Sequence, residues 1–152
     1  MFDTFTKVEI AGEEHPIKCN IEVLAALQEH FGTLNAFEMS ILGLKEITDE
    51  NGKPKKDEKG NILFQTGEPS FRTIMFALPV MLKAGYDDAI EQGDVEERPD
   101  LRKAIKEADF DHIETASAIH DEFKRCYARK NRRAPQKRGK KEMETRSTSG
   151  ES

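Results

Sequence analysis

The segment FRTIMFALPVMLKAG, residues 71–85, is the most apolar part of the chain, and the fold is expected to form around it. Ser70 directly precedes it and is a good helix N-cap, so we predict a helix that begins there. Its apolar side chains point in nearly every direction, which is typical of a helix that is buried on more than one side. Pro79 removes one backbone hydrogen bond, so we expect a kink, and Gly85 is expected to end the helix.

The residues that precede this helix predict a β-hairpin and a first helix. Residues 5–10 and 13–18 have the pattern of two short strands about a tight turn at Gly12. Asn20 is a good N-cap for a helix that ends at Gly32. The expected core side chains of these elements are Phe5, Ile10, Ile17, Ile21, Leu24, Ala25, Leu27 and Phe31.

A second, shorter helix is expected before a polar insertion. Thr33 or Asn35 can cap this helix, and Gly43 ends it. Residues 44–67 then carry many charges and turn signals such as Asn51-Gly52, between two short apolar flanks. We therefore predict that residues 44–67 form an exposed, charged hairpin arm.

The C-terminal part predicts a short helix, a long helix and a tail. Pro99 favours the start of the short helix, and Asp109 or Asp111 can begin the long one. The apolar stripe of the long helix is Ile113, Ala116, Ile119, Phe123 and Cys126. The apolar pattern then stops. We predict an α+β, mainly helical fold with four to five helices, with a single globular domain over 1–128 and a disordered basic tail over 129–152.

Charge is distributed very unequally along the 152 residues. Residues 1–123 contain 26 acids and 13 Lys or Arg, whereas residues 124–152 contain 3 acids and 11 Lys or Arg. An acidic body repels nucleic-acid phosphates, and the tail has no interleaved aromatic residues for base stacking, so nucleic acid is not the expected partner. The tail cations that a nucleic-acid role would need are Arg129, Lys130, Arg132, Arg133, Lys137, Arg138, Lys140 and Lys141.

The sequence contains no catalytic or metal-binding pattern. No two histidines are spaced to share a helical face, the two cysteines stand far apart, and phosphate-binding loops, GxSxG and HExxH are missing. We therefore expect surface or boundary histidines, no enzymatic activity, no metal and no cofactor. The longest apolar run, Ile74 to Leu82, is far shorter than the roughly 20 residues that a membrane-spanning helix needs, so we expect neither a targeting segment nor a membrane partner.

The central helix is the best candidate for a partner-binding region, and two interpretations of it stay open. Either it is the core helix of the domain, or one of its faces, with the soft side chains of Met75 and Met81, forms a groove for an apolar helix of a partner. Both interpretations can be correct at the same time. The candidate binding residues are Phe71, Ile74, Met75, Leu78, Met81 and Leu82.

Five sequence segments carry a family resemblance. They are EEHPIKC (13–19), LAALQEHFG (24–32), EPSF (68–71), FALPVMLKAG (76–85) and EFKRC (122–126). In this order the chain resembles the tail assembly chaperones of long-tailed phages and prophages of Gram-positive bacteria over about residues 5–128. The resemblance implies a non-enzymatic protein of the host cytoplasm that binds the tape measure protein, keeps it soluble, recruits the tail tube protein and is absent from the mature virion. It implies a partner-binding region but no individual functional residue.

Two other classes stay open, together with self-association. One is a phage nucleic-acid-associated protein that acts through the basic tail, and the other is a small virion structural protein. Chaperones of the resembling family are often made in a short form and a frameshifted long form. Gly139-Lys140-Lys141 can be encoded by GGA AAA AAG, which contains the slippery heptamer A AAA AAG, so we predict a frameshift near this point.

Overall fold

The computed structural model describes residues 2–133 and has an α+β, mainly helical fold, as predicted. These residues divide into two units, with the boundary between Glu122 and Phe123. The elements in chain order are β1 (Thr6–Ile10), β2 (Glu13–Ile17), α1 (Ile21–Phe31), α2 (Leu34–Leu42), β3 (Leu44–Glu46), β4 (Phe64–Thr66), α3 (Phe71–Glu91), α4 (Arg102–Lys106) and α5 (His112–Arg133).

The predicted N-terminal hairpin is confirmed. Strands β1 and β2 pair antiparallel with Ile10 opposite Glu13. The two turn residues, Ala11 and Gly12, have φ values of 54° and 82°, the geometry that matches the twist of a two-residue hairpin. Ile10 and Ile17 are buried, so the inner face of the hairpin contributes to the core of the first unit.

The N-cap residues of four helices are among those predicted from the sequence. The Asn20 side chain accepts a hydrogen bond from the Val23 amide, and the Ser70 side chain accepts one from the Thr73 amide. Thr33, rather than Asn35, caps α2. Asp111 caps α5 by accepting from the amides of residues 113 and 114. Each cap satisfies a backbone donor that would otherwise be unpaired at the start of a helix.

Three residues of the predicted core stripes are wrong. Ile21 and Ile113 are 61% and 51% exposed, and Ala25 is exposed as well. The reason is the helical period, which places each of the three on the side of its helix that faces away from the core. The residues of α1 and α5 that are buried in the first unit lie on the opposite sides and include Val23, Leu24, Leu27, Ala116 and Ile119.

The exposed arm over 44–67 is confirmed, and main-chain hydrogen bonds hold it together. Strands β3 and β4 pair at its base. Beyond them, three residues eight positions apart form a closed ring of hydrogen bonds. The Ile47 amide donates to the Leu63 carbonyl (3.0 Å), the Lys55 amide to the Ile47 carbonyl (2.8 Å) and the Leu63 amide to the Lys55 carbonyl (3.0 Å). The arm therefore has a defined shape with almost no buried surface.

The two turns of the arm are copies of each other. Asp49 Oδ1 accepts from the amides two and four residues later, at 2.8 and 3.0 Å, and Asp57 Oδ1 does the same at 2.8 and 2.9 Å. The hydrogen bond from the Asn61 amide is the main cause that holds the pKa of Asp57 below its ordinary value. Gly52 and Gly60 occupy the same place in each turn, with φ near +80° and +86°. A left-handed backbone of this kind favours glycine.

Helix α3 does not end at Gly85 as predicted but continues to Glu91. Gly85 is buried against β2, and a Cβ atom there would lie 2.4 Å from the Pro16 carbonyl oxygen. The glycine therefore serves close packing between the helix and the hairpin rather than helix termination. The Lys18 amide donates to the Met81 carbonyl at the same contact (3.1 Å).

The predicted tail boundary at residue 129 also needs correction. Helix α5 continues to Arg133, so residues 129–133 are helical. Propagation of an existing helix adds one hydrogen bond per ordered residue, and Ala, Arg and Lys have high helix propensity, so loss of the apolar stripe does not end the helix. The prediction of disorder for the remaining residues, 134–152, lies outside the described residues.

Candidate partner-binding surface on the central helix

The six predicted binding residues divide between the core and the surface. Phe71 and Met75 are 46% and 52% exposed. Four others are buried and belong to the core, which corrects their assignment to a surface: Ile74, Leu78, Met81 and Leu82. The reason is the helical period of 3.6 residues, which places these four on the sides of α3 that meet the hairpin and the other helices.

The exposed apolar residues of α3 form a line along one face. Phe71, Met75 and Pro79 are each one turn apart, and all three are exposed; we call these three residues the α3 track. Pro79 was expected only as a kink, so sequence analysis missed its part in this surface. Because Pro79 has no amide hydrogen, the Met75 carbonyl lacks the donor that a regular helix would supply from residue 79.

Aromatic rings flank the track beside Met75. The half-buried Phe76 ring stacks on the exposed His30 ring, with centroids 3.8 Å apart and an interplanar angle of 11°. Phe31 meets Phe76 edge-on at 5.8 Å. These contacts fix the side chains that border the track, so a partner would meet an ordered apolar surface.

The first turn of α5 lies beside the N-terminal end of the track. The His112 ring is 4.8 Å from the Phe71 ring, and His112 Nε2 is 3.1 Å from Glu68 Oε1. The contact between the His112 and Phe71 rings therefore connects the track to a second helix.

At its C-terminal end the track continues into a groove of about 580 Å³ between α3 and residues 98–105. Pro79 belongs both to the track and to the lining of this groove. The groove is lined by Pro79, Val80, Leu82, Lys83, Tyr86, Arg98, Pro99, Asp100, Leu101, Arg102 and Ile105. Most of these side chains are apolar, and the charged ones lie on residues that are exposed.

Two of the three cations of the groove have partners within the protein. Lys83 Nζ lies 2.9 Å from Asp87 Oδ2. Arg102 forms a fork on Asp100, with Nε and Nη2 at 3.0 and 2.8 Å from the two carboxylate oxygens. These side-chain hydrogen bonds from Arg102 are the main cause that lowers the pKa of Asp100 to about 2. Arg98 makes no hydrogen bond or ion pair with any of residues 2–128, whose side chains the structure describes.

One histidine departs from the expected surface or boundary position. His15 is buried, with Nδ1 2.5 Å from the Tyr86 hydroxyl oxygen. Burial lowers the pKa of His15 and raises that of Tyr86. Strand alternation could have predicted this, because His15 is two residues from the buried Ile17 and therefore shares its face. The four histidines do not come together, and the described residues contain no group of three or more metal-ligating side chains.

Glu122 is a buried carboxylate that sequence analysis did not single out. Its Oε1 accepts from the Thr6 hydroxyl and its Oε2 from the Cys19 amide, both at 2.8 Å. The residue thereby ties α5 to β1 and to the connection between β2 and α1. Its spacing of three from the core residue Ile119 is a signal that it shares the buried face of the helix.

The cations of the predicted basic tail fall into two groups. Arg129, Lys130, Arg132 and Arg133 are in the helical part of the backbone, and Lys137, Arg138, Lys140 and Lys141 lie outside the described residues. No helix among residues 2–133 has the length and apolar character needed to cross a membrane.

Comparisons of the chain with protein-family models, with curated proteins and with solved structures give no match. The fold itself places the chain in the class of mainly helical α+β proteins, and one helix of it has an exposed apolar face. The resemblance to tail assembly chaperones stays a prediction.

Proposed function

We propose that this chain is a phage tail assembly chaperone that binds the tape measure protein and keeps it soluble while the tail is built. The observation that carries this proposal is the α3 track, an exposed apolar line on a part of the chain where acids outnumber bases by 26 to 13. An exposed apolar surface with polar surroundings is typical of a protein-interaction site. Nothing in the proposed role requires a reaction, a metal or a cofactor.

The geometry of the track suits a helical partner. From Phe71 to Tyr86, at the end of the groove, α3 rises about 22 Å, which equals about four turns of a helix lying alongside it. A tape measure protein, as the resemblance implies, is a long helix with apolar stripes, and such stripes aggregate until they are covered. Apolar residues one turn apart on one helix can interlock with apolar residues one turn apart on another.

The acidic excess of residues 1–123 explains how tape measure proteins that are covered by copies of this chain would stay dispersed. Many chaperone copies along one rod would repel one another and other coated rods, because each copy carries the acidic excess. Modest contacts that are repeated along the rod give avidity, yet tail tube subunits can displace the copies one at a time. In this role the chain acts in the host cytoplasm and is absent from the mature virion.

The test is co-expression with the tape measure protein from the same genome, followed by measurement of the soluble fraction of that protein. Met75→Glu and Phe71→Glu place a charge on the track without disturbing buried residues. We expect both variants to fold and to leave the tape measure protein as insoluble as it is alone. Ile21→Glu is the matched control, because it puts the same charge on an apolar residue that is even more exposed but lies on α1.

Three outcomes would contradict the proposal. Full solubilisation by a folded Phe71→Glu, Met75→Glu double variant would exclude the track. Retention on heparin that is lost on removal of residues 129–152 would favour the nucleic-acid class. Recovery of the chain from purified particles would favour a virion structural protein.

A further inference from the structure

The groove at the end of the α3 track has a different charge from three other cavities of the first unit. Its lining has three cations and one carboxylate. The linings of the three other cavities each have more carboxylates than cations, with four acids and one lysine apiece. A net-positive, largely apolar groove is therefore a local exception on an acidic surface. Its electrostatic potential would attract a carboxylate that the rest of the surface repels.

Arg98 is the cation that is available for this interaction. Lys83 and Arg102 are already paired with Asp87 and Asp100, whereas Arg98 has no partner among the described residues. A guanidinium can hold a carboxylate through two parallel hydrogen bonds. The apolar wall beside it, which includes Leu82, Leu101 and Ile105, would keep water away from such a pair and strengthen it.

We propose that the groove binds a segment of the partner helix that carries a Glu or Asp side chain about one turn from its apolar anchors, and that Arg98 pairs with this carboxylate. The proposal rests on the proposed function and adds a chemical requirement to it. Apolar contacts along the track do not distinguish one register of the partner helix from the next. One ion pair at the end of the track does, because it forms only when the acidic residue reaches the groove.

The experiment uses two synthetic helical peptides of about 18 residues, long enough to cover the track and the groove. Both have the same leucine stripe. One has glutamate beside the stripe at every second turn, and the other has glutamine at the same positions. The binding of each dye-labelled peptide to the full chain is measured by fluorescence anisotropy at low and high salt.

We expect the glutamate peptide to bind wild-type protein about tenfold more tightly than the glutamine peptide at low salt, the effect of one good charge-assisted pair. High salt should remove this preference. Arg98→Glu should remove or reverse the preference while the glutamine peptide still binds. Lys103→Glu is the matched control, because it makes the same charge change on an exposed residue of α4 that does not line the groove, and it should keep the preference.

Equal binding of the two peptides to wild-type protein would overturn the proposal, and so would an equal loss of preference in the Lys103→Glu and Arg98→Glu variants. The proposed function is tested separately by solubilisation of the tape measure protein. If wild-type protein solubilises it but shows no preference for the glutamate peptide, only the carboxylate requirement fails. If wild-type protein does not solubilise it, the proposed function fails.

Discussion

Helix α3 and the arm over 44–67 are held in place by opposite means. The helix buries seven apolar side chains, among them Ile74, Leu78 and Met81. Its position therefore depends on the packing of these side chains against the neighbouring elements. The arm buries almost nothing and closes on itself through main-chain hydrogen bonds. A change of side chain should therefore lower the free energy of unfolding strongly on the inner faces of α3 and only slightly on its track. In the arm it should leave the free energy of unfolding nearly unchanged.

The largest effect is expected from Met81→Glu compared with Met75→Glu. Both place a carboxylate on α3, but Met81 is fully buried and Met75 is half exposed. Met81→Glu should lower the free energy of unfolding by roughly 4 kcal/mol or more, because it buries an unpaired charge. Met75→Glu should change it by less than about 0.5 kcal/mol. Urea unfolding of both variants measures the difference, and equal destabilisation would mean that the track is part of the core.

Gly85→Ala should have the next largest effect. The added Cβ would meet the Pro16 carbonyl oxygen and force α3 away from β2, which should lower the free energy of unfolding by about 2–3 kcal/mol. Helix propensity alone predicts the opposite sign, since alanine favours a helix by up to about 1 kcal/mol over glycine. Ala84→Gly, one residue away and half-buried, is the control for propensity. A stabilised Gly85→Ala variant would show that the close contact is absent in solution.

A smaller effect is expected on lowering the pH. The pKa of His15 is below its ordinary value in the folded protein because of burial, although nearby Glu13 opposes the shift. The unfolded chain therefore takes up the proton more readily, and the free energy of unfolding should fall as the pH drops below about 6.5. The loss cannot exceed about 1.4 kcal/mol per pH unit for one proton. His15→Gln should show a shallower loss between pH 7 and pH 5 in urea unfolding, and an equally steep loss would assign the effect to other groups.

The smallest global effect is expected in the arm. Asp57→Ala removes the carboxylate that orders one turn, so amide exchange at residues 59–61 should become faster. The urea midpoint of the whole protein should stay unchanged. The Asp49 turn, which has the same geometry, is the internal control and should keep its protection. A fall in the urea midpoint would show that the arm contributes to the core.

The contrast between local and tertiary determinants also explains what could be predicted from the sequence. Caps at Asn20 and Thr33 and the turns of the arm depend on neighbouring residues only, and all were predictable. The role of Gly85 depends on Pro16, which is far away in the chain, so it was taken for a helix end. Four of the six candidate binding residues on α3 are buried, because a helix that is apolar all round does not indicate which face a second element will cover.

The arm also offers a practical position for a reporter. Its course is fixed by main-chain hydrogen bonds, two aspartates and two glycines, so exposed side chains such as Glu50 and Lys59 can be replaced. A cysteine at either of these exposed positions, neither of which belongs to the α3 track, could carry a fluorophore. Under the proposed function, such a label would report the release of this chain from its partner in real time.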